Sequence, residues 1–193
     1  MSKGIPLFIA EPTGTCRLVL RRFSLGHQGD GHYHDASVVI SEDAIVGGPE
    51  SSREQKALYD GLHRQDPRWP ASCGCGAPFA GDNVWQVNEQ DWLEGAGHRF
   101  TWGIGSFDGP PGAMIRVTGR DLDGRPPAWM IILPNGCMWC TNDRASAGRG
   151  REPGPFWEVT GTAPRLTVSP SIDDRDPRRP WHGWIRGGEM VPA

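Results

Sequence analysis

The stretch from Ala128 to Ser146 decides the fold; it reads Ala-Trp-Met-Ile-Ile-Leu-Pro-Asn-Gly-Cys-Met-Trp-Cys-Thr-Asn-Asp-Arg-Ala-Ser. Its first six residues, Ala128 to Leu133, are all apolar and rich in β-formers, which predicts a central strand covered on both faces. Pro134-Asn135-Gly136 then supplies a turn, because proline fixes φ and Asn-Gly accepts positive φ. The chain should therefore return as a β-hairpin whose second arm carries Cys137 and Cys140.

Composition and turn signals predict a β-rich fold. The chain has 193 residues with 27 glycines and 18 prolines, which disfavours long helices, while nine tryptophans indicate a packed core. Short apolar runs separated by turn residues predict a mainly β protein (β-rich α+β) with antiparallel sheets and long Gly/Pro-rich loops. The capping-box spacing from Ser51 to Glu54 predicts one short helix. We expect a single domain over residues 1–193, with N-terminal strands and the helix in 1–70 and a cysteine-containing β core in 71–193.

The charge pattern and the apolar runs limit the possible partners. The formal net charge is -3 and no basic block stands out, so no nucleic-acid surface is predicted. The apolar run in the first ten residues is too short for a signal peptide, is broken by Pro6, and no stretch approaches membrane-spanning length. We therefore expect no membrane partner and a chain that is cytoplasmic on synthesis, where cysteines favour thiolate ligation over disulfides.

Two close cysteine pairs predict a metal site. One glycine separates Cys73 from Cys75, and two residues separate Cys137 from Cys140. Four thiolates satisfy the tetrahedral preference of Zn²⁺ and leave no open position for water, so the predicted zinc is a structural staple. In the alternative interpretation, Cys137 and Cys140 only pack in the sheet. The fifth cysteine, Cys16, is expected to be a buried small residue.

His32 and His34 are a second candidate group for metal binding. Residues two apart on a strand share a face, so both imidazoles could reach one ion. A cupin-like site would also need a glutamate four or five residues after the second histidine, where Val38 and Val39 stand instead, and that family is excluded. The sequence leaves a solvated polar loop as the alternative.

Ser171 and His182 are the candidate catalytic residues. On neighbouring strands they could form a nucleophile–base pair, with Asp173 or Asp174 orienting the imidazole. The charged segment from Asp173 to Pro180 has no glycine and no apolar residue to fix it against a substrate cleft, which favours a structural role for His182. No G-x-S-x-G elbow, phosphate loop or H-E-x-x-H motif is present.

A series of short motifs in residues 123–188 carries a family likeness. In chain order the motifs are Asp123-Gly-Arg125, Leu133-Pro-Asn-Gly136 with Trp139, Asp143-Arg-Ala-Ser146, Trp157, Gly161 to Pro164, Thr167-Val168, Ser171-Ile172 and His182-Gly-Trp-Ile185. This part of the chain resembles a family of phage and prophage proteins of uncertain function. The resemblance extends upstream through Cys73-Gly-Cys-Gly76, although the cysteine pair of that family is more often C-x-x-C.

The two final motifs, Pro170-Ser-Ile172 and His182-Gly-Trp-Ile185, are also similar to a broader bacterial family. Its members, the BubE-like proteins, are encoded beside ubiquitin-like conjugation genes. The resemblance implies a serine peptidase that acts on a ubiquitin-like protein partner, with Ser171 as nucleophile and His182 as base.

Taken together, the sequence favours a phage or prophage-encoded structural accessory protein, virion-associated, non-catalytic and stapled by zinc. Its expected partners are other phage structural proteins or further copies of itself, and the virion is then its expected final location. The alternative is a peptidase-like Ser–His hydrolase related to BubE that uses Ser171 and His182. A zinc-knuckle adaptor that binds a host protein is the third interpretation.

Overall fold

Fourteen β-strands make up the fold in the described part of the chain, and no helix is assigned there. The computed structural model describes residues 4–24, 34–45, 66–79, 81–103, 106–117, 128–142, 156–175 and 179–193. The predicted β-rich fold with antiparallel sheets is confirmed, whereas the helix predicted from Ser51 lies outside the described residues. In those described segments, no helix is long and apolar enough to cross a membrane.

The strands are numbered in chain order. Their bounds are β1 Ile5–Pro6, β2 Phe8–Ile9, β3 Glu11–Ser24, β4 Asp35–Ile45, β5 Asn83–Gly95, β6 His98–Gly103, β7 Ser106–Phe107, β8 Ala113–Arg116, β9 Trp129–Ile132, β10 Met138–Cys140, β11 Glu158–Thr162, β12 Arg165–Asp174, β13 Trp181–Arg186 and β14 Glu189–Pro192.

The chain divides into two compact units. The first comprises Met1–Glu11, Glu94–Arg99 and Asp108–Ala193, and the second comprises Pro12–Leu93 and Phe100–Phe107. The predicted single domain, with its division near residue 70, stays a prediction.

Two sheets of the first unit share one hydrophobic core. One sheet has the strand order β1-β14-β13-β12-β11 and the other β10-β9-β8-β2. Their strands pair antiparallel except for β2 and β8, which are parallel. The buried residues of this core are Leu7, Met114, Ile131, Leu133, Trp139, Leu166, Val168, Ile172, Ile185 and Met190.

The hairpin predicted for the stretch from Ala128 to Cys140 is confirmed as β9 and β10. Met138 pairs with Ile132 across the turn, and the Gly136 N–H donates to the Leu133 carbonyl at 2.9 Å. Gly136 has φ +81°, a value that most side chains resist, so the Asn-Gly sequence sets this turn. Leu133 is 1% exposed, which anchors the start of the turn in the core.

Strand β12 carries a bulge opposite β13. Val168 pairs with Ile185, whereas Ile172 pairs with Gly183, so four residue steps of β12 face two steps of β13. Val168 and Ile172 are both buried, so the core face of the strand is kept on either side of the bulge. Bulges re-aim nearby side chains, and Ser171 lies at the end of this one.

The third sheet has the order β4-β3-β5-β6-β7, and most of its residues lie in the second unit. Cys16 on β3 is fully buried, as predicted. Burial raises the pKa of its thiol to about 11, with further contributions from the negative charges of Glu89 and Asp91. Cys16 therefore stays a neutral thiol at physiological pH.

Candidate functional site

Ser171 and His182 meet on the hairpin formed by β12 and β13. Ser171 Oγ lies 3.0 Å from His182 Nε2, which is hydrogen-bond distance. Asp173 is the register partner of His182, so the two strands run side by side at this point. The structure thus brings together the two residues that the sequence singled out for catalysis.

The protonation state decides what this pair can do. When the imidazole carries its proton on Nδ1, its Nε2 can accept the hydroxyl proton of Ser171. The 3.0 Å distance falls within the range of about 2.6–3.2 Å over which a general base works. His182 is exposed and Ser171 is half-buried, so a substrate from solvent can reach both.

Asp173 is the carboxylate that lies opposite His182 in the strand register. It accepts a hydrogen bond from Arg175 Nε at 2.6 Å. This hydrogen bond is the main cause that lowers the pKa of the Asp173 carboxyl, and the charges of Arg175 and His182 act in the same direction. A carboxyl group with a depressed pKa keeps its negative charge to lower pH, and a nearby anion favours the imidazolium that forms when His182 takes a proton.

Asp174, the other carboxylate predicted to orient the imidazole, is bound by the β9–β10 turn. Asn135 Nδ2 donates to Asp174 Oδ2 at 2.8 Å, and it also donates to the backbone carbonyl of Arg179 at 2.8 Å. Sequence reasoning missed this role of Asn135, because an Asn-Gly pair is fully explained by the turn that it forms.

An aromatic and cationic strip continues from His182 along β13. The rings of His182 and Trp184 have centroids 5.9 Å apart, and the Arg186 guanidinium lies 4.6 Å from the Trp184 centroid. Alternate residues of a strand share a face, so these three side chains lie on one side of the sheet. Trp181 instead packs against the hydrophobic core.

His34, Cys73 and Cys75 form a group that could bind a metal ion. Their ligand atoms all lie within 4.8 Å of one another, and Cys75 Sγ is 3.8 Å from His34 Nδ1. His34 and Cys73 are buried, while Cys75 is exposed. The predicted metal-binding character of this cysteine pair is thereby supported by an imidazole from a distant part of the sequence.

The backbone around the cysteine pair explains why these atoms converge. The Cys75 N–H donates to Cys73 Sγ at 3.4 Å, and Gly76, at φ +91°, lets the chain turn back so that its N–H donates to the Cys73 carbonyl at 2.8 Å. The Gly74 N–H donates to the Asp35 carbonyl at 3.1 Å. This last bond holds the turn against the start of β4, immediately after His34.

Cys137 and Cys140, the other two predicted ligands, are not members of the His34–Cys73–Cys75 group. They lie at β10 in the first unit, where Cys140 is fully buried and Cys137 is half-buried. None of the five cysteines forms a disulfide. The site of four thiolates stays a prediction. His32, the partner first considered for His34, lies outside the described residues.

A hydroxyl and an imidazole in contact on an accessible hairpin are the two groups that nucleophilic serine catalysis requires. The family model of the "Bacterial ubiquitination-like system serine protease (BubE)" matches residues 120–193, less than half of the chain. Ser171 and His182 both lie in this range, and the predicted similarity of the C-terminal part to BubE-like proteins is confirmed. Comparisons with curated proteins and with solved structures gave no match. The resemblance to phage proteins stays a prediction.

Proposed function

We propose that this chain is a serine hydrolase of the peptidase type, with Ser171 as nucleophile and His182 as general base. The observation that carries the proposal is the 3.0 Å contact between Ser171 Oγ and His182 Nε2. The match of residues 120–193 to a family described as a serine protease supports it. A virion-associated accessory protein remains the competing prediction, and nothing in that role requires the two side chains to touch.

The chemistry follows from the geometry of the pair. Ser171 Oγ attacks the carbonyl carbon of the scissile bond while its proton passes to His182 Nε2. The imidazolium then gives this proton to the leaving amine, which leaves an acyl group on Ser171. A water molecule, deprotonated by His182, then attacks the acyl carbon. The bond from that carbon to Ser171 Oγ breaks, the imidazolium returns its proton to the serine oxygen, and the acyl group leaves as a carboxylic acid. The anionic Asp173 stabilises the imidazolium electrostatically in both steps.

For the substrate we propose a ubiquitin-like protein. The matched family is described by its place in a ubiquitination-like system. A catalytic pair that solvent can reach suits a macromolecular substrate, because a folded protein can present an extended segment to it without entering a deep cavity.

A fluorophosphonate probe tests the proposed nucleophile directly. We expect the wild-type protein to be labelled at one site, and Ser171→Ala to abolish labelling, because the probe reacts with an activated serine hydroxyl. Ser169→Ala is the matched control: this serine lies in the same bulge, is exposed, and should not be required. Labelling that survives Ser171→Ala would refute Ser171 as the nucleophile, and a folded wild-type protein that does not react would refute the hydrolase and favour the structural accessory.

For the metal we propose that His34, Cys73 and Cys75 bind Zn²⁺; they fill three of its four tetrahedral positions, and a structural role requires a fourth protein ligand. Two thiolates and an imidazole are a donor set that zinc prefers. With metal–ligand distances of about 2.0–2.3 Å, tetrahedral ligand atoms lie about 3.3–3.8 Å apart. The 3.8 Å between Cys75 Sγ and His34 Nδ1 agrees with that spacing. Zinc would fasten the cysteine turn to the start of β4.

Protein purified without added metal should contain about one zinc per chain, and His34→Ala and Cys75→Ser should each lose it, with a lower melting temperature. Elemental analysis and thermal unfolding are the measurements. Cys137→Ser distinguishes the two ligand sets, because it should keep its zinc when His34 is a ligand and lose it when four thiolates bind the ion. A metal-free wild-type protein with all its exposed thiols reactive would rule out both ligand sets.

A further inference from the structure

The Asn135 side chain joins the β9–β10 turn to both ends of the connection between Ser171 and His182. Its Nδ2 donates to Oδ2 of Asp174 and to the backbone carbonyl of Arg179, each at 2.8 Å. Asp174 comes three residues after Ser171, and Arg179 comes three residues before His182. A single amide group therefore links Asp174, on the Ser171 side of the connection, to Arg179, on the His182 side.

The turn holds this amide in place. Asn135 Oδ1 accepts the N–H of Cys137 at 3.0 Å, so both ends of the side-chain amide are hydrogen-bonded. Leu133, at the start of the same turn, belongs to the hydrophobic core, and its N–H donates to the Cys137 carbonyl at 2.8 Å. The bridge is thus fixed to the core of the unit on which the catalytic hairpin lies.

We propose that Asn135 is a positioning residue that keeps Ser171 within reach of His182, an inference that rests on the proposed hydrolase function. Proton transfer needs the two heavy atoms at about 2.6–3.2 Å, and a misplacement of about 1 Å can cost on the order of 10²-fold in rate. Without the bridge, the adjoining ends of β12 and β13 lose their common anchor. A longer distance from Ser171 Oγ to His182 Nε2 then slows the step in which the serine loses its proton.

The substitution Asn135→Asp removes the two bridging hydrogen bonds and keeps the one within the turn. The new carboxylate keeps an acceptor for the Cys137 N–H but has no donor for Asp174 or Arg179. We expect the rate of fluorophosphonate labelling at Ser171 to fall about ten- to hundred-fold. Asn83→Asp is the matched control, because Asn83 Nδ2 also donates to a turn carbonyl, that of Gly81 at 2.7 Å, but in the other compact unit. This control should be labelled at the wild-type rate.

A double-mutant comparison separates positioning from a general loss of structure. If Asn135 acts through His182, Asn135→Asp should change the labelling rate by less than about twofold when His182 is already alanine. A wild-type rate in Asn135→Asp, or an equal fall with and without His182, would overturn the positioning role. Failure of the proposed function is recognised separately, because the wild-type protein would then not be labelled at all.

Discussion

Replacement of His182 by alanine is expected to slow the reaction of Ser171 by on the order of 10²–10⁴-fold, the usual contribution of a general base. In the proposed mechanism the imidazole Nε2 takes the serine proton across 3.0 Å, and alanine offers no acceptor in its place. Because His182 is exposed, the melting temperature should change little. The rates of acylation by a fluorophosphonate and of hydrolysis of an activated ester are the measurements.

The pH dependence provides a second test of the same base. A neutral imidazole accepts a proton and an imidazolium does not, so the wild-type rate should fall on acidification, whereas the residual rate of His182→Ala should not show this step. His98→Ala is the control, since His98 is an exposed imidazole of the same unit and stacks on Phe8 at 5.8 Å. A purely structural His182 would leave Ser171 inert at every pH, and its removal would instead cost roughly 1–3 kcal/mol of stability.

Gly112→Ala is expected to cause a large loss of stability, roughly 2–5 kcal/mol from an unfavourable φ together with overpacking. Gly112 has φ +94°, and a Cβ at this position would lie 2.3 Å from the Pro6 carbonyl oxygen. The backbone there cannot move freely, because the Gly112 carbonyl accepts the Phe8 N–H at 3.0 Å and its N–H donates to the Ile132 carbonyl at 2.9 Å. The methyl group would therefore push apart the strands that meet at β8.

Gly97→Ala provides the matched comparison for Gly112→Ala. Gly97 lies in the same unit and has φ +80°, but a Cβ there would have no atom within 4 Å. Gly97→Ala should lose only the stability that a side chain at positive φ costs, roughly 1–2 kcal/mol. Denaturant unfolding of the two variants measures the difference. Equal losses would show that the close approach of Pro6 to Gly112 contributes nothing.

The central hairpin could be predicted because its signals are local. The apolar run that ends at Leu133 and the Asn135-Gly136 pair lie next to each other in the chain, and the positive φ of Gly136 is a property of that short segment. Ser171 and His182 could be chosen as candidates from residue type and spacing. Their contact depends in addition on the register of β12 against β13. Pro170 marks an irregularity in β12, but the local sequence does not state how far the bulge shifts the register against β13.

Contacts between distant segments lay beyond sequence reasoning for a physical reason. The pairing of His34 with Cys75 spans 41 residues, and the bonds from Asn135 to Asp174 and Arg179 span 39 and 44. Such contacts are decided by how the sheets pack, and neither periodicity nor turn residues encode packing partners. Sequence reasoning therefore named Cys73 and Cys75 as candidate ligands of one site and His34 as a candidate of another, and it did not predict that the three side chains lie together.

Ser171 and His182 lie close together in the chain, and this affects the order in which contacts can form during folding. Their contact closes a loop of 11 residues, whereas the contact of His34 with Cys75 closes one of 41. The chain entropy lost on closing a loop grows as the logarithm of its length, so the shorter closure costs about 1 kcal/mol less. During synthesis, however, residues 34–75 leave the ribosome first. The entropically easier contact is thus the later one to become available, because Ser171 can meet His182 only after β13 has been made.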